Sequence, residues 1–315
     1  MSLKHFRTTL TTRLLLLTFI IPLAACNSNK APEKPSITVF ASPEDAGSAL
    51  IAAARSDDQN AAASIFGPDS KDLFHSADPI ADKSAVAAFV AGYDVMHRWR
   101  KMPDNSEILI VGADNFPFAI PLKKNAEGKW FFDTAAGKDE VLSRRIGRNE
   151  LAVIDASNAV VDAQAAYFAH PHDGQPAKQF ATKFISDDGK QNGLYWKAEP
   201  GKPDSPLGPM AAAASTEGYS ANANGHTAFH GYYFKMLDGQ TANAPGGAKQ
   251  YVVNGKRTGG FAVVAYPAEY GNSGIMTFII NQDGVLLEKD LGKTTTDIAT
   301  AMTNFDPDPA WKIVQ

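Results

Sequence analysis

The sequence predicts an α+β fold in two modules, on three observations. A run from Lys138 to about His170 holds no proline, a single glycine and a wide apolar stripe, so it reads as one long helix. After residue 231, short apolar runs rich in β-branched and aromatic residues are separated by turn residues, and read as an antiparallel sheet. Before residue 137, helical patterns give way to three strand-like runs. Helices followed by hairpin-linked strands point to helices segregated on one side of an antiparallel sheet.

The elements follow in chain order. Lys4, Arg7 and Arg13 precede the apolar run Leu14–Leu23. That run is too short to span a bilayer, which takes about 20 residues, and has the length of a signal-peptide core. Asn27–Ser36 is polar and proline-containing, and reads as a tether. Ser42-Pro43-Glu44-Asp45 opens a helix: Ser42 caps, Pro43 fits the first turn and the acids suit the positive helix end. Ala46, Ala49, Leu50 and Ala53 continue it. A second helix is expected over Asp82–Arg98, with Val86, Phe89, Val90, Tyr93 and Met96 on one stripe. Strands are expected over Glu107–Ala113, Pro117–Leu122 and Lys129–Asp133.

In the long helix, Ile146, Val153, Val160 and Tyr167 form one row and Ile154, Val161 and Phe168 another, and Pro171 closes it. Gly174 to about His226 is a loop-rich excursion punctuated by Pro200, Pro203, Pro206 and Pro209, with one helical turn at Ala211–Ala214. Strands are expected over Gly231–Leu237, Phe261–Tyr266, Gly274–Asn281 and Val285–Lys289, the last two joined by a hairpin at Asp283-Gly284, and a final helix over Thr295–Met302. The expected organisation is a leader (1–25), a tether (26–36), an N-terminal module (37–137) and a C-terminal module (138–315).

The chain has 315 residues, a formal net charge of −4 and one cysteine. The acidic balance argues against nucleic acid as a partner, because displacing counterions from phosphates takes an excess of Lys and Arg. One cysteine excludes an intrachain disulfide and a multi-cysteine metal site.

Several stretches resemble known families. Leu23-Ala24-Ala25-Cys26 resembles the bacterial lipobox. That resemblance implies cleavage before Cys26, acylation of Cys26 with chains such as palmitate, and attachment to the periplasmic face of a membrane. Asn27 stands where an inner-membrane retention signal would carry Asp, so the outer membrane is favoured. The N-terminal module weakly resembles the cone-shaped nuclear transport factor 2-like superfamily. From Ile146 on, the helix Arg148-Asn149-Glu150 to Tyr167 and the runs Gly231-Tyr232-Tyr233-Phe234, Phe261–Pro267 and Gly274–Phe278 resemble the head of a type II secretion pseudopilin or type IV pilin. The leading apolar spine of a pilin is missing: Arg144, Arg145, Arg148, Asn149, Glu150, Asp155 and Asp162 interrupt the helix, so filament formation does not carry over. The whole mature chain also resembles an uncharacterised family of bacterial lipoproteins (domain of unknown function 2950). The matching runs are Phe118–Leu122, Phe132–Gly137, Arg145–Leu151, Ser205–Pro209 and Pro267–Gly271. No activity comes with that family.

Residues able to carry chemistry are sparse. His170, His172 and Asp173 are the most ligand-like cluster, offering two imidazoles and a carboxylate to Zn²⁺, with His226 and His230 able to join only if the loop folds back. The competing reading is a solvated helix exit. Asp283 with Asn281, or Asp306 with Asp308, offers oxygens to Ca²⁺, against a plain hairpin in which Asp283 bonds its own backbone. Arg144, Arg145 and Arg148 form a basic patch for an anionic lipid or a partner, against a solvated face or internal ion pairs. Tyr195 and Trp196, with Tyr219, Tyr232 and Tyr233, are candidates to line a glycan or peptide groove, against plain packing. No Gly-x-Ser-x-Gly elbow and no phosphate-cradling Gly-rich loop is present. No cofactor is expected. The reading is therefore a lipid-anchored envelope protein acting as a non-enzymatic interaction or assembly factor. The alternatives are a periplasmic small-ligand binding protein and a metal-dependent hydrolase built on His170, His172 and Asp173.

Overall fold

The computed structural model describes residues 37–201, 203–220 and 227–314. The leader, Cys26, the tether and His226 lie outside the described residues. The fold is mixed α+β, as the patterning predicts.

The N-terminal part opens with α1 (Pro43–Ser56), capped by the Ser42 hydroxyl, which accepts from the Asp45 amide. Then come α2 (Gln59–Phe66), α3 (Lys71–Phe74) and α4 (Pro79–Val95). An antiparallel sheet follows from β1 (His97–Lys101), β2 (Glu107–Val111), β3 (Phe116–Pro117), β4 (Leu122–Lys124) and β5 (Trp130–Phe132). Its core gathers Leu50, Ile51, Phe66, Leu109, Ile120, Leu122 and Phe132.

Three expectations change here. The second helix starts at Pro79 and stops at Val95, not Asp82–Arg98. Asp78 caps it by accepting from the Ile80 and Ala81 amides, and Met96 turns to φ −166, ψ 137, so His97–Lys101 pairs with β2 as a strand. The expected strand Pro117–Leu122 breaks into β3 and β4. Pro117 and Pro121 have no amide hydrogen for a ladder, and the intervening turn buries Ile120 completely. The short α2, capped by Asp58, gives no long periodic signal and appears only in the structure.

The long helix α5 (Thr134–Ala169) has 36 residues and a length of about 54 Å. It starts four residues before Lys138, where the Asp133 carboxylate accepts from the Ala136 amide. Val141 and Leu142 pack on the N-terminal core. Val153, Val160, Ala163 and Tyr167 pack on a second core with Tyr232, Val263, Phe278 and Ile280. One rigid element therefore belongs to both cores, and residues 35–315 form a single compact unit. No helix among the described residues is long and apolar enough to cross a membrane.

The C-terminal part adds α6 (Gly208–Glu217), β6 (Tyr232–Leu237), β7 (Gly239–Gln240), β8 (Lys249–Gln250), β9 (Val252–Val253), β10 (Lys256–Arg257), β11 (Ala262–Pro267), β12 (Met276–Asn281), β13 (Leu287–Asp290), α7 (Thr295–Ala301), β14 (Asn304–Phe305) and β15 (Lys312–Ile313). The main sheet runs β15-β13-β12-β11-β6, antiparallel throughout, with Val263 opposite Ile280 and Met236. Both faces are covered. Val263, Ala265, Phe278 and Ile280 meet α5, while Ala262, Val264 and Ile279 meet a third core with Ala299, Phe305 and Trp311. That is why β11 is apolar at every position rather than alternating.

Candidate functional site

The groove between residues 173 and 199 grows from the exit of α5. After Ala169 the chain forms an irregular loop in which Ile185 and Tyr195 make a parallel bridge. The Tyr195 amide donates to Phe184 O at 2.8 Å and the Ser186 amide to Tyr195 O at 2.8 Å. Asp187 and Asn192 close its tip reciprocally: the Asp187 amide donates to Asn192 Oδ1 at 3.0 Å, and Asn192 Nδ2 donates to Asp187 Oδ2 at 2.8 Å. The Lys183 ammonium, 2.7 Å away, and then the Asn192 amide hold the Asp187 carboxyl below its ordinary range. Gly193 is required, since a Cβ there would stand 2.7 Å from Ile185 C and Ser186 N.

The loop borders a groove of about 520 Å³ whose lining includes Asp173, Asp188, Gln191, Tyr195, Trp196 and Lys197. Trp196 is buried and donates from Nε1 to Pro203 O at 3.1 Å, so its ring is a fixed wall. Tyr195 is half-buried, and its hydroxyl has no hydrogen bond among the described residues. The same holds for the side chains of Gln191, Asp188 and Lys197. Behind the wall, His172 stacks on Tyr167 with ring centroids 3.9 Å apart and leans on Trp196 at 5.5 Å. Tyr167 donates to Gln191 O at 2.7 Å, and burial, then the charge of Asp173, pushes its pKa up to about 12. Asp173 accepts from the Gln191 amide at 2.6 Å.

A second cluster of buried polar groups joins the N- and C-terminal parts across α5. Arg145, 8% exposed, donates to Leu73 O and to Asn272 Oδ1. Burial lowers its pKa. Asn149 Nδ2 donates to Ser273 O at 2.8 Å. Glu150 Oε1 accepts from the Ile275 amide at 3.0 Å and the Met276 amide at 2.9 Å. Asp78 accepts from the Tyr219 hydroxyl at 2.6 Å and the Gly231 amide at 2.9 Å.

The profile of one protein family, described as a protein of unknown function (DUF2950), matches residues 37–314. The chain belongs to the DUF2950 family. No curated protein and no solved structure matches it. Two runs that carry the DUF2950 resemblance, Arg145–Leu151 and Pro267–Gly271, lie at the joint or beside it. Glu269 Oε2 in the latter accepts from Asn272 Nδ2 at 2.8 Å. A third, Phe132–Gly137, opens α5 against Ile120.

The candidates named from this DUF2950 sequence separate. Tyr195, Trp196 and Asp173 come together at the groove. Tyr219 and Tyr232 are buried away from it, and Tyr233 packs on Tyr266 at 5.8 Å. The basic patch divides. Arg144 bonds Glu140 at 2.7 Å and Pro117 O at 2.5 Å and lies over Phe116, Arg145 is buried in the joint, and Arg148 is exposed. Among the described residues no three His, Cys, Asp or Glu side chains gather where a metal could sit. His170 is exposed, and His172 donates from Nε2 to Tyr167 O at 3.0 Å while its Nδ1 is buried without a partner. His230 faces Glu217 at 3.3 Å. Asp283 bonds Asn281 through both side chain and backbone, the hairpin arrangement. Asp306 accepts from Thr241 and Asn243, and Asp308 pairs with Lys289 at 3.1 Å. Sequence reasoning missed the joint. Asp78, Asn272 and Ser273 lie in turns with no periodicity, and only proximity in the fold gives them a common role.

Proposed function

We propose that the protein is a non-enzymatic binding component of the bacterial envelope. In this reading Cys26 is acylated, the lipid holds the chain at the periplasmic face with the outer membrane favoured, and the 173–199 groove takes a small ligand. The groove carries the reading. Its volume lies within the range of small-molecule sites, and it combines a fixed aromatic wall with a few polar side chains that bond nothing else among the described residues. Thermal unfolding of the full-length protein against a ligand library tests it. A ligand at 100 times its Kd stabilises by about 2.7 kcal/mol. No shift with any compound overturns the reading.

A second reading, an interaction or assembly factor for an envelope protein, is favoured by α4. Of its residues only Tyr93 is buried, while Val86 and Val95 are 40% and 68% exposed beside the equally unburied α6. A photo-crosslinker at Val86 that captures one defined envelope protein in cells supports it, and one that captures only abundant neighbours removes it. A helix laid over an antiparallel sheet supports the pilin-head likeness of the C-terminal part, and helices packed against an antiparallel sheet support the nuclear transport factor 2-like reading of the N-terminal part.

A further inference from the structure

We infer that the 173–199 groove binds a saccharide. The inference rests on the ligand-binding reading and names the class of ligand. Trp196 Nε1 is bonded to Pro203, Asp187 is bonded to Lys183 and Asn192 and faces Lys190 at 3.8 Å, Asp173 is bonded to the Gln191 amide, and Glu199 is engaged as well. What remains is the Tyr195 ring and hydroxyl, the Gln191 carboxamide, the Asp188 carboxylate and the Lys197 ammonium.

This set contains one fixed negative charge and one fixed positive charge on exposed side chains. The lining as a whole mixes Asp173, Asp187, Asp188 and Glu199 with Lys190 and Lys197, so a charged ligand of either sign meets groups of its own sign. A purely apolar ligand would strip water from four polar groups without replacing their hydrogen bonds. A neutral polyol fits instead. Each sugar hydroxyl both donates and accepts, so it satisfies a carboxylate, an ammonium, a carboxamide and a phenol alike. The C–H face of a pyranose ring lies against an aromatic side chain, and Tyr195 is the half-exposed ring beside the buried Trp196. The aromatic wall is pre-organised: Trp196 is buried and His172 packs between it and Tyr167. The protein therefore loses little freedom on binding.

The test is titration of the full-length protein, in a detergent without a sugar headgroup, with maltotriose, cellotriose and chitotriose. Calorimetry and ligand-observed NMR give the readout. At least one trisaccharide binds saturably. Tyr195→Ala weakens it by about tenfold, Tyr195→Phe weakens it much less, and Asp188→Ala, at an exposed position with no partner to lose, weakens it several-fold. Saturable binding unaffected by either Tyr195→Ala or Asp188→Ala places the sugar elsewhere and overturns the inference. A parallel panel of amino acids, nucleotides and fatty acids separates the two levels. If one of those binds and Tyr195→Ala abolishes it while no trisaccharide binds, the groove stands as a ligand site and the saccharide class is wrong. If neither panel binds, both readings fall.

Discussion

The Tyr219 hydroxyl donates to the carboxylate of Asp78 at 2.6 Å, joining positions 141 residues apart. Asp78 is 2% exposed, and the same side chain caps α4 and accepts from the Gly231 amide. It is thus the common acceptor of a helix start, a distant tyrosine and the entry to β6. Tyr219→Phe removes one donor and leaves three, and is expected to cost about 1–2 kcal/mol. Asp78→Ala strands the tyrosine hydroxyl, the Gly231 amide and the helix cap together, and is expected to cost roughly 3 kcal/mol or more. Urea unfolding midpoints of the two variants give the order. Equal losses would mean that the carboxylate contributes only through Tyr219, and no loss in Tyr219→Phe would mean that it acts only as a helix cap.

Buried tyrosines set an alkaline limit. Burial raises the pKa of Tyr167 and Tyr251 to about 12, and raises Tyr219 and Tyr232 further, with Asp78 and Glu150 adding to the effect. The folded state therefore keeps these protons at a pH where the unfolded chain, titrating near 10, has lost them. Their contribution is intact below pH 10 and falls as pH rises towards 12, by about 1.4 kcal/mol per pH unit for each such tyrosine. Absorbance at the phenolate band should show part of the tyrosine set ionising only together with loss of the fold. Smooth ionisation of every tyrosine near pH 10 in a folded protein would contradict this.

How much of this was legible follows from the physics of each element. The α5 stripe was legible because Val153, Val160 and Tyr167 repeat at helical spacing over many turns, and all three are buried. The C-terminal strands were legible because β11 and β12 are apolar runs with turn residues at their ends. The β1 strand was not. His97–Lys101 exposes four of five residues, so it carries no apolar signal and is set by pairing with β2. At the groove, Tyr195 and Trp196 stood out as adjacent aromatics in a polar loop. That Asp173 and Lys197 join them depends on the Asp187–Asn192 closure, a contact of side chains with backbone that no periodicity records.

Arg145 was read as part of a surface patch and is instead a buried connector. Its guanidinium links α5 to Leu73 O on one side and Asn272 on the other. Arg145→Met keeps the stem and removes both bonds, leaving Leu73 O and Asn272 short of a donor. The expected loss is about 2–4 kcal/mol. Hydrogen exchange locates the effect: protection should fall at residues 73–78 and 269–275 more than within β11. A uniform change across the chain would show global destabilisation without a local joint.

The proposed lipid anchor makes a separate prediction. Several acyl chains contribute about 0.8 kcal/mol per buried CH₂, which gives stable attachment without a membrane-spanning helix. Cys26→Ala should abolish incorporation of a labelled fatty acid and release the processed or unprocessed chain from the acylated pool. Label retained in the variant would place acylation elsewhere on this chain, and no label on the unaltered chain would remove the anchor.

Two glycines of α5 should respond to alanine with opposite signs. Helix propensity alone favours alanine at both by about 1 kcal/mol. At Gly147 nothing lies within 4 Å of the position a Cβ would take, so Gly147→Ala should stabilise by about 0.5–1 kcal/mol. At Gly137 that Cβ would stand 2.7 Å from Ile120 Cα and 2.9 Å from Ala119 O. Those are backbone atoms of the turn that buries Ile120 in the N-terminal core, so they cannot swing aside as a side-chain tip would. Gly137→Ala should therefore destabilise by roughly 1–3 kcal/mol despite the better helix former. Thermal midpoints of the two variants, measured side by side, decide it. A rise in both would mean that the start of α5 does not press on Ile120 as described, and that the helix is tied to the N-terminal core mainly through Val141 and Leu142.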